Sequence, residues 1–435
     1  MTATAQPLSD ECEQTFDAAL GLATAAATSP RKSVVVYAMN YAPETAGVGK
    51  YTGEIAEYLA AEGMDVTVVT TPPHYPGWAV QPGYRNRYSL KIEGRITVLR
   101  APLMLRRKMG GIWRLLAPLS FALTSAPLVF WQILRRRPVT VFCVEPTLFA
   151  APAAQIAARL IGARTVLHVH DMEVDAAFAV GHLSSKAWLK TLGHVFERGV
   201  LGGFDRLITI SNRMAEGLIL KGVPDAKVSV VRNWVDLAHI HPMEEVSPYR
   251  AELGFGAKDF VVLYSGSIGA KQGLNVLLDA AERLKDERHI HFVISGEGPQ
   301  KPELEARYGH LANVRFLAFQ PYARLNALLN MPDLHVLPQD RSTADLALPS
   351  KLGGMLASGK PVLVTADEGT ELAQFVEGVV YLTPPNDPEN LAACIFRAMS
   401  ERYAWQPHSR TALVQSLSKR PAILAIRQLI DGGEP

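Results

Sequence analysis

One pattern, written twice, limits what this chain can fold into: short apolar runs alternate with amphipathic helical stretches. "SVVVYAM" (33–39), "DVTVVT" (65–70), "ITVLR" (96–100), "VTVFCV" (139–144), "RTVLHV" (164–169) and "RLITI" (206–210) form the first set. Helical periodicity lies between several of them, for example over 48–62, which stops at Gly63. After a polar, proline-containing stretch, "DLAHIHPMEEVSPYR" (236–250), the alternation restarts. "VVLYS" (261–265), "IHFVIS" (290–295), "VRFLAF" (314–319), "LHVLP" (334–338) and "PVLVT" (361–365) form the second set. Helical patterns fit 273–285, 301–307, 322–330, 350–358, 370–376 and 388–402. Strands apolar on both faces and separated by helices predict parallel, doubly wound sheets. The fold expected is α/β: two Rossmann-like domains, 31–240 and 241–405, facing across a cleft, with ligands outside the carboxyl ends of the strands. Residues 406–435 should add a helical segment around "SKRPAILAIRQLI" (418–430) that packs back on the first domain.

The length of 435 residues suits two such cores rather than one. With 48% hydrophobic and 20% charged residues, the composition is that of a globular enzyme. Cys12, Cys143 and Cys394 lie far apart, which argues against a disulfide framework or a zinc site and for a reducing compartment. Residues 1–30 are rich in Ala, Thr and Ser, lack a basic leader, and are expected to form a disordered tail.

Chemistry is expected at the strand ends. "NYAPETAGVGKYTGE" (40–54) joins the first strand to the first helix, and Gly47 and Gly49 would let the backbone approach a ligand. It is neither a Walker A loop nor a dinucleotide fingerprint, so a ligand loop and a plain turn both stand. "VLHVHDMEVD" (166–175) puts His168 and His170 on one face at a strand's carboxyl end, where His170 is either structural or in contact with substrate. "LYSGSIGAKQGL" (263–274) runs from a strand through Gly266 to Lys271 and a helix, a pattern suited to phosphate. "VISGEGPQ" (293–300) is a second such turn and carries Glu297. "PSKLGGMLASGKPV" (349–362) places Ser350 and Lys351 at a helix start, where a lysine is unfavourable unless an anion joins it. Lys271 and Lys351 together would clamp a diphosphate leaving group. No Asp-X-Asp occurs and no metal site is expected.

These motifs, with "ISNRMAEGLILKGVPDAKVSVVRNWVD" (210–236), resemble those of the family 4 retaining glycosyltransferases of the GT-B fold, in particular the colanic acid (exopolysaccharide) biosynthesis enzymes. The resemblance spans about 33–400. It implies that the second domain binds a nucleotide-sugar, with Gly266, Lys271, Glu297, Ser350 and Lys351 of that domain and Gly47 and Gly49 of the first as donor-binding residues, and with His170 and Lys271 acting in transfer. It implies a polyprenyl-diphosphate-linked saccharide acceptor, retention of configuration, no metal and no other cofactor, a cytoplasmic location at the inner face of the plasma membrane, and no nucleic-acid partner. Two departures stand out. Ser267 occupies the place of a common arginine, and Leu346 and Gly354 occupy those of two glutamates eight positions apart. A non-catalytic binding or scaffolding relative and a nucleotide-sugar epimerase therefore remain as alternatives.

Residues 105–138 stand apart: Leu115 to Leu134 is uncharged and lies between Arg106, Arg107, Lys108 and Arg114 on one side and Arg135, Arg136 and Arg137 on the other. The length would span a bilayer, but strands of one sheet flank it. The stretch is either a buried helix pair broken near Pro118 or Pro127, or an interfacial anchor on anionic lipid.

Overall fold

The computed structural model describes residues 32–45, 47–75, 77–106, 112–146, 148–171, 187–341, 348–402 and 410–433. The tail expected over 1–30 and the departure at Leu346 fall outside them. The first sheet comprises β1 (Ser33–Ala38), β2 (Asp65–Thr70), β3 (Ser89–Glu93), β4 (Ile96–Arg100), β5 (Thr140–Glu145), β6 (Arg164–Val169), β7 (Arg206–Thr209) and β8 (Val228–Val230). Its order is β3-β4-β2-β1-β5-β6-β7-β8, all parallel except the β3–β4 pair. The second sheet comprises β9 (Phe260–Ser265), β10 (Ile290–Ser295), β11 (Val314–Leu317), β12 (Leu334–Leu337), β13 (Val362–Thr365) and β14 (Tyr381–Thr383), in the order β11-β10-β9-β12-β13-β14. Strand order reverses between β1 and β5 in one sheet and between β9 and β12 in the other. Those switch points are where doubly wound sheets bind ligands.

Alternate residues of β1 divide between two cores, Val35 and Tyr37 on one face and Val34 and Val36 on the other. The second core also takes Ile423, Ile426, Leu429 and Ile430, so the Lys419–Asp431 helix covers the first sheet beside the Val48–Ala61 helix. The chain crosses between domains earlier than the polar stretch 236–250. Trp234 is buried in the first domain's core and Val235 in the second's. The return crossing runs alongside: Val235 N–H donates to the Leu417 carbonyl at 2.8 Å, and Lys419 N–H to the Val235 carbonyl at 3.1 Å.

Three strands were not evident in the sequence. β3 is exposed along its whole length, and β8 and β14 have three residues each. The helix pair considered for 105–138 is instead one continuous helix, Ile112–Arg136, with Pro118 and Pro127 inside it. Each proline removes an N–H from the helical ladder. Tertiary packing outweighs that loss: Ala117, Phe121, Val129 and Ile133 are fully buried in the core, and Ser125 hydrogen-bonds the Tyr37 hydroxyl at 2.5 Å. Its apolar stretch Leu116–Arg136 is long enough to cross a membrane, but half of it is buried in the fold. The opposite face, at four-residue spacing, exposes Leu119, Leu123 (72%), Pro127 and Trp131 (60%), and ends on exposed Arg135–Arg137.

Candidate active site

At the switch point of the second sheet, β9 runs into the turn at Gly266, and the Lys351 side chain lies across that turn. A Cβ on Gly266 would sit 3.1 Å from the Lys351 Nζ. The amine donates to the Tyr264 hydroxyl at 2.7 Å and lies 4.2 Å from that ring's centroid; the hydroxyl donates to the Ser267 carbonyl at 2.5 Å. Burial pushes the Lys351 amine down to about 7. A cation is thus held largely out of water, with a phenol as its hydrogen-bond partner, where the sheet topology opens a ligand crevice.

The second glycine turn packs on the first. Gly266 N–H donates to the Ser295 carbonyl and Ile268 N–H to the Glu297 carbonyl, both at 2.9 Å. A Cβ on Gly296 would lie 1.8 Å from the Gly266 carbonyl oxygen. Gly296 therefore allows two backbones to meet, and "GEGP" supports the first turn. The Glu297 carboxylate pairs with Lys301 at 2.8 Å, one helical turn on. Lys271 is exposed in the short turn Ala270–Gln272, and its carbonyl accepts the Asp340 N–H at the end of β12.

From the first domain, His170 follows β6 directly and stacks on Tyr51, centroids 5.9 Å apart. The Tyr51 hydroxyl lies beside Ser350 across the cleft. His170, Ser350, Lys351 and Gly266 are thus joined through Tyr51 and the start of the Lys351–Ala357 helix. His170 Nε2 is 3.2 Å from His168 Nδ1, and His168 Nε2 is buried without a partner among the described residues. The tautomers that orphan no buried N–H have His168 donating to His170, which leaves His170 Nδ1 as a donor. Burial pushes His170 down to about 3, so it acts as a neutral imidazole.

The first glycine loop finds protein rather than open space. Gly47, at φ 64°, faces Tyr75, and a Cβ on Gly49 would lie 2.5 Å from Glu44 Oε2. Glu44, 3% exposed, had no recognised role in the sequence. Its Oε1 accepts the N–H groups of His74 (2.8 Å) and Tyr75 (2.9 Å), and its Oε2 accepts from Asn40 (2.9 Å). That carboxylate fixes the loop after β2, which brings Tyr75 beside Ser267 of the other domain. Glu371 makes a second bridge: it accepts the N–H groups of Asn212 and Arg213 at 2.8 Å each and pairs with Arg232 at 3.2 Å. Gly354 does not leave room for a ligand. A Cβ there would meet Leu329 Cδ1 at 3.2 Å, while one on Gly353 would meet Val235 at 3.3 Å. The two helix glycines permit close packing, so Gly354→Ala, favoured by about 1 kcal/mol in helix propensity, should gain less than that in a thermal melt because Leu329 must shift. Among the described residues, no group of three or more His, Cys, Asp and Glu is placed to hold a metal.

Two parallel-sheet α/β domains, with a half-buried lysine at the switch point of the second and a histidine at a strand end of the first, have the architecture of a GT-B glycosyltransferase. Residues 46–234 match the glycosyl transferase 4-like domain and residues 246–415 the glycosyl transferases group 1 domain. The chain is 40% identical over 379 residues to the putative colanic acid biosynthesis glycosyl transferase WcaI of Escherichia coli K12, covering 84% of this chain and 92% of that protein. It therefore belongs to the family 4 glycosyltransferases, in the group that includes that protein. It is also 27% identical to the probable glycosyltransferase WbjE of Pseudomonas aeruginosa over 54% of this chain and 60% of that one. Among solved structures, sucrose-phosphate synthase from Thermosynechococcus elongatus (TM-score 0.70, 16% identity, 92% of this chain and 98% of that one) shares the fold. So does Anabaena HepE, solved with UDP and glucose (TM-score 0.65, 17% identity, 92% and 100%).

Proposed function

We propose that this enzyme transfers a sugar from a nucleotide-sugar to a polyprenyl-diphosphate-linked saccharide in bacterial exopolysaccharide assembly, at the cytoplasmic face of the plasma membrane. The observation that carries the reading is Lys351: a buried amine resting on Gly266 at a ligand crevice. A diphosphate there would give the amine the counter-charge it lacks, and charge growing on the leaving phosphate would strengthen the contact in the transition state. Lys271, in the same turn, is the second diphosphate ligand. The exopolysaccharide assignment follows from kinship with the E. coli protein. Transfer proceeds on one face of the sugar with retention, with His170 Nδ1–H directed at the sugar. It needs neither metal nor another cofactor, since the chain has no Asp-X-Asp to hold a nucleotide-bound divalent ion. Thermal shift against a panel of nucleotide-sugars, then NMR of the product's anomeric configuration, tests this reading; no stabilising donor, or an inverted product, would refute it. Transfer should continue in excess chelator. Loss of activity on chelation, restored by magnesium or manganese, would overturn the donor site.

The exposed stripe Leu119, Leu123, Pro127, Trp131 with Arg135–Arg137 at its end suits an anionic membrane surface, where a lipid-linked acceptor resides. Changing the three arginines to glutamate should weaken binding to phosphatidylglycerol-containing vesicles by about 1 kcal/mol for each basic residue lost. Wild type that fails to sediment with such vesicles at low salt would rule out the anchor.

A further inference from the structure

Beside the transfer site, the seam between the domains opens into a cavity of about 560 Å3. The rings of Tyr41, Tyr84 and Tyr322 and the side chains of Lys50, Glu54 and Asp236 border it. Aromatic faces interspersed with donors and acceptors suit a saccharide, and the volume falls within the usual range for ligand pockets. Lys50 leaves the first helix next to Tyr51, whose ring stacks on His170.

The charges lining this cavity are mixed, and nearly all are already engaged. Glu54 accepts the Trp234 indole N–H at 2.6 Å and lies 3.4 Å from Lys419. Asp236 accepts the Ala238 N–H at 3.1 Å and lies 3.4 Å from the same lysine. Glu93 pairs with Lys91, and Glu44 is held by its three donors. Arg100 donates to the carbonyls of Thr71 and Ala42. Glu57 stands exposed at the rim. Lys50 differs from the rest. Its ammonium is 3.9 Å from Glu54, beyond hydrogen-bond distance, and lies over the rings of Tyr51 and Tyr322 at 5.5 and 5.8 Å from their centroids. Among the described residues it makes no hydrogen bond, yet its side chain is only 22% exposed. An ammonium with three unused donors, largely withdrawn from water, is costly unless a ligand completes it.

We propose that Lys50 binds a negatively charged oxygen group on the acceptor, a phosphate or a carboxylate, and that this cavity holds the part of the acceptor that carries it. The proposal rests on the transferase reading and adds to it that the acceptor is recognised as an anion close to the accepting sugar. That charge has two possible sources: the diphosphate joining saccharide to lipid, or the carboxylate of an acidic sugar. Calorimetry with octyl glucoside, octyl glucuronide and farnesyl-diphosphate-linked glucose separates them.

Wild type should bind one of the two charged probes more tightly than octyl glucoside by about ten-fold or more, the scale of one charge-assisted hydrogen bond. Whichever probe shows the preference identifies the source. Lys50→Gln should abolish the preference while still binding octyl glucoside, which shows that the cavity is intact; Lys50→Arg should restore it in part. Lys351→Met should retain it, which excludes the donor site as its origin. Equal binding of all three probes by wild type, or a preference that survives Lys50→Gln, overturns the proposal. Nucleotide-sugar binding by wild type is measured in parallel: a protein that binds none fails the transferase reading, whereas one that binds donor but does not favour the charged probes fails only this inference.

Discussion

Replacing Lys351 by alanine should lower sugar transfer by on the order of 10²-fold, about 3 kcal/mol, while the fold becomes no less stable. The two halves of that expectation share one cause. The amine is buried against Gly266 and Tyr264, and burial of a charge costs stability in the free protein. The same site stabilises charge developing on a leaving diphosphate, where loss of one donor typically costs about that much. Lys271→Ala should also lower transfer, because the second diphosphate ligand is lost from the same turn. The pH behaviour provides an independent check. The Lys351 amine falls from its ordinary 10.5 to about 7 in the folded protein. Between those values the unfolded chain binds the proton that the native protein has released, so this residue makes stability rise with pH across that window. Donor binding runs the other way. The diphosphate requires the protonated amine, so affinity should weaken as pH rises above about 7 and binding should take up a proton there. Calorimetry in buffers of different ionisation enthalpy measures that proton. Donor affinity flat across this range, or Lys351→Ala turning over like wild type, would remove Lys351 from the diphosphate site.

Glu44→Ala should destabilise the first domain by about 2–6 kcal/mol, because the N–H groups of His74 (buried) and Tyr75 (half-buried) lose their acceptor and each such orphan costs about 1–3 kcal/mol. The effect should reach the cleft. The loop after β2 carries Tyr75 to Ser267, so a loosened loop should raise the donor KM as well as lower the melting temperature. Glu44→Gln separates charge from hydrogen bonding. Its amide oxygen can still accept both N–H groups, and Asn40 can turn its own oxygen toward the new NH2 group, so this variant should stay within about 1 kcal/mol of wild type. Thermal melts of the two variants decide the matter. An alanine variant as stable as wild type would mean that water replaces the carboxylate and that the loop needs no anchor.

The period of the apolar residues carries most of the architecture. A strand buried on both faces is apolar at most positions, and a covering helix is apolar on one stripe; β1, β2, β5, β6, β9 and β10 are predominantly apolar and are plain in the sequence. β3, exposed throughout, and the three-residue β8 and β14 bury too little to leave such a trace. The prolines of the Ile112–Arg136 helix mislead for a related reason. They report the local cost of a helix, whereas the sheet beneath it supplies the packing that overrides that cost.

The sequence by itself determined the two parallel sheets, the loops at their carboxyl ends and the presence of Lys351 beside a helix start, because backbone propensity and burial period are local properties that a one-dimensional pattern preserves. Tertiary structure alone decided what those loops touch. It set Lys351 on Gly266, Gly49 on Glu44 and Gly296 on the Gly266 carbonyl, and it moved the domain crossing to Trp234–Val235. Among the described residues, it also left Lys50 without a hydrogen bond beside a cavity made by both domains. Such contacts join residues tens to hundreds of positions apart, and their energy depends on which neighbours remove water from a charge, a quantity that no local pattern of residues encodes.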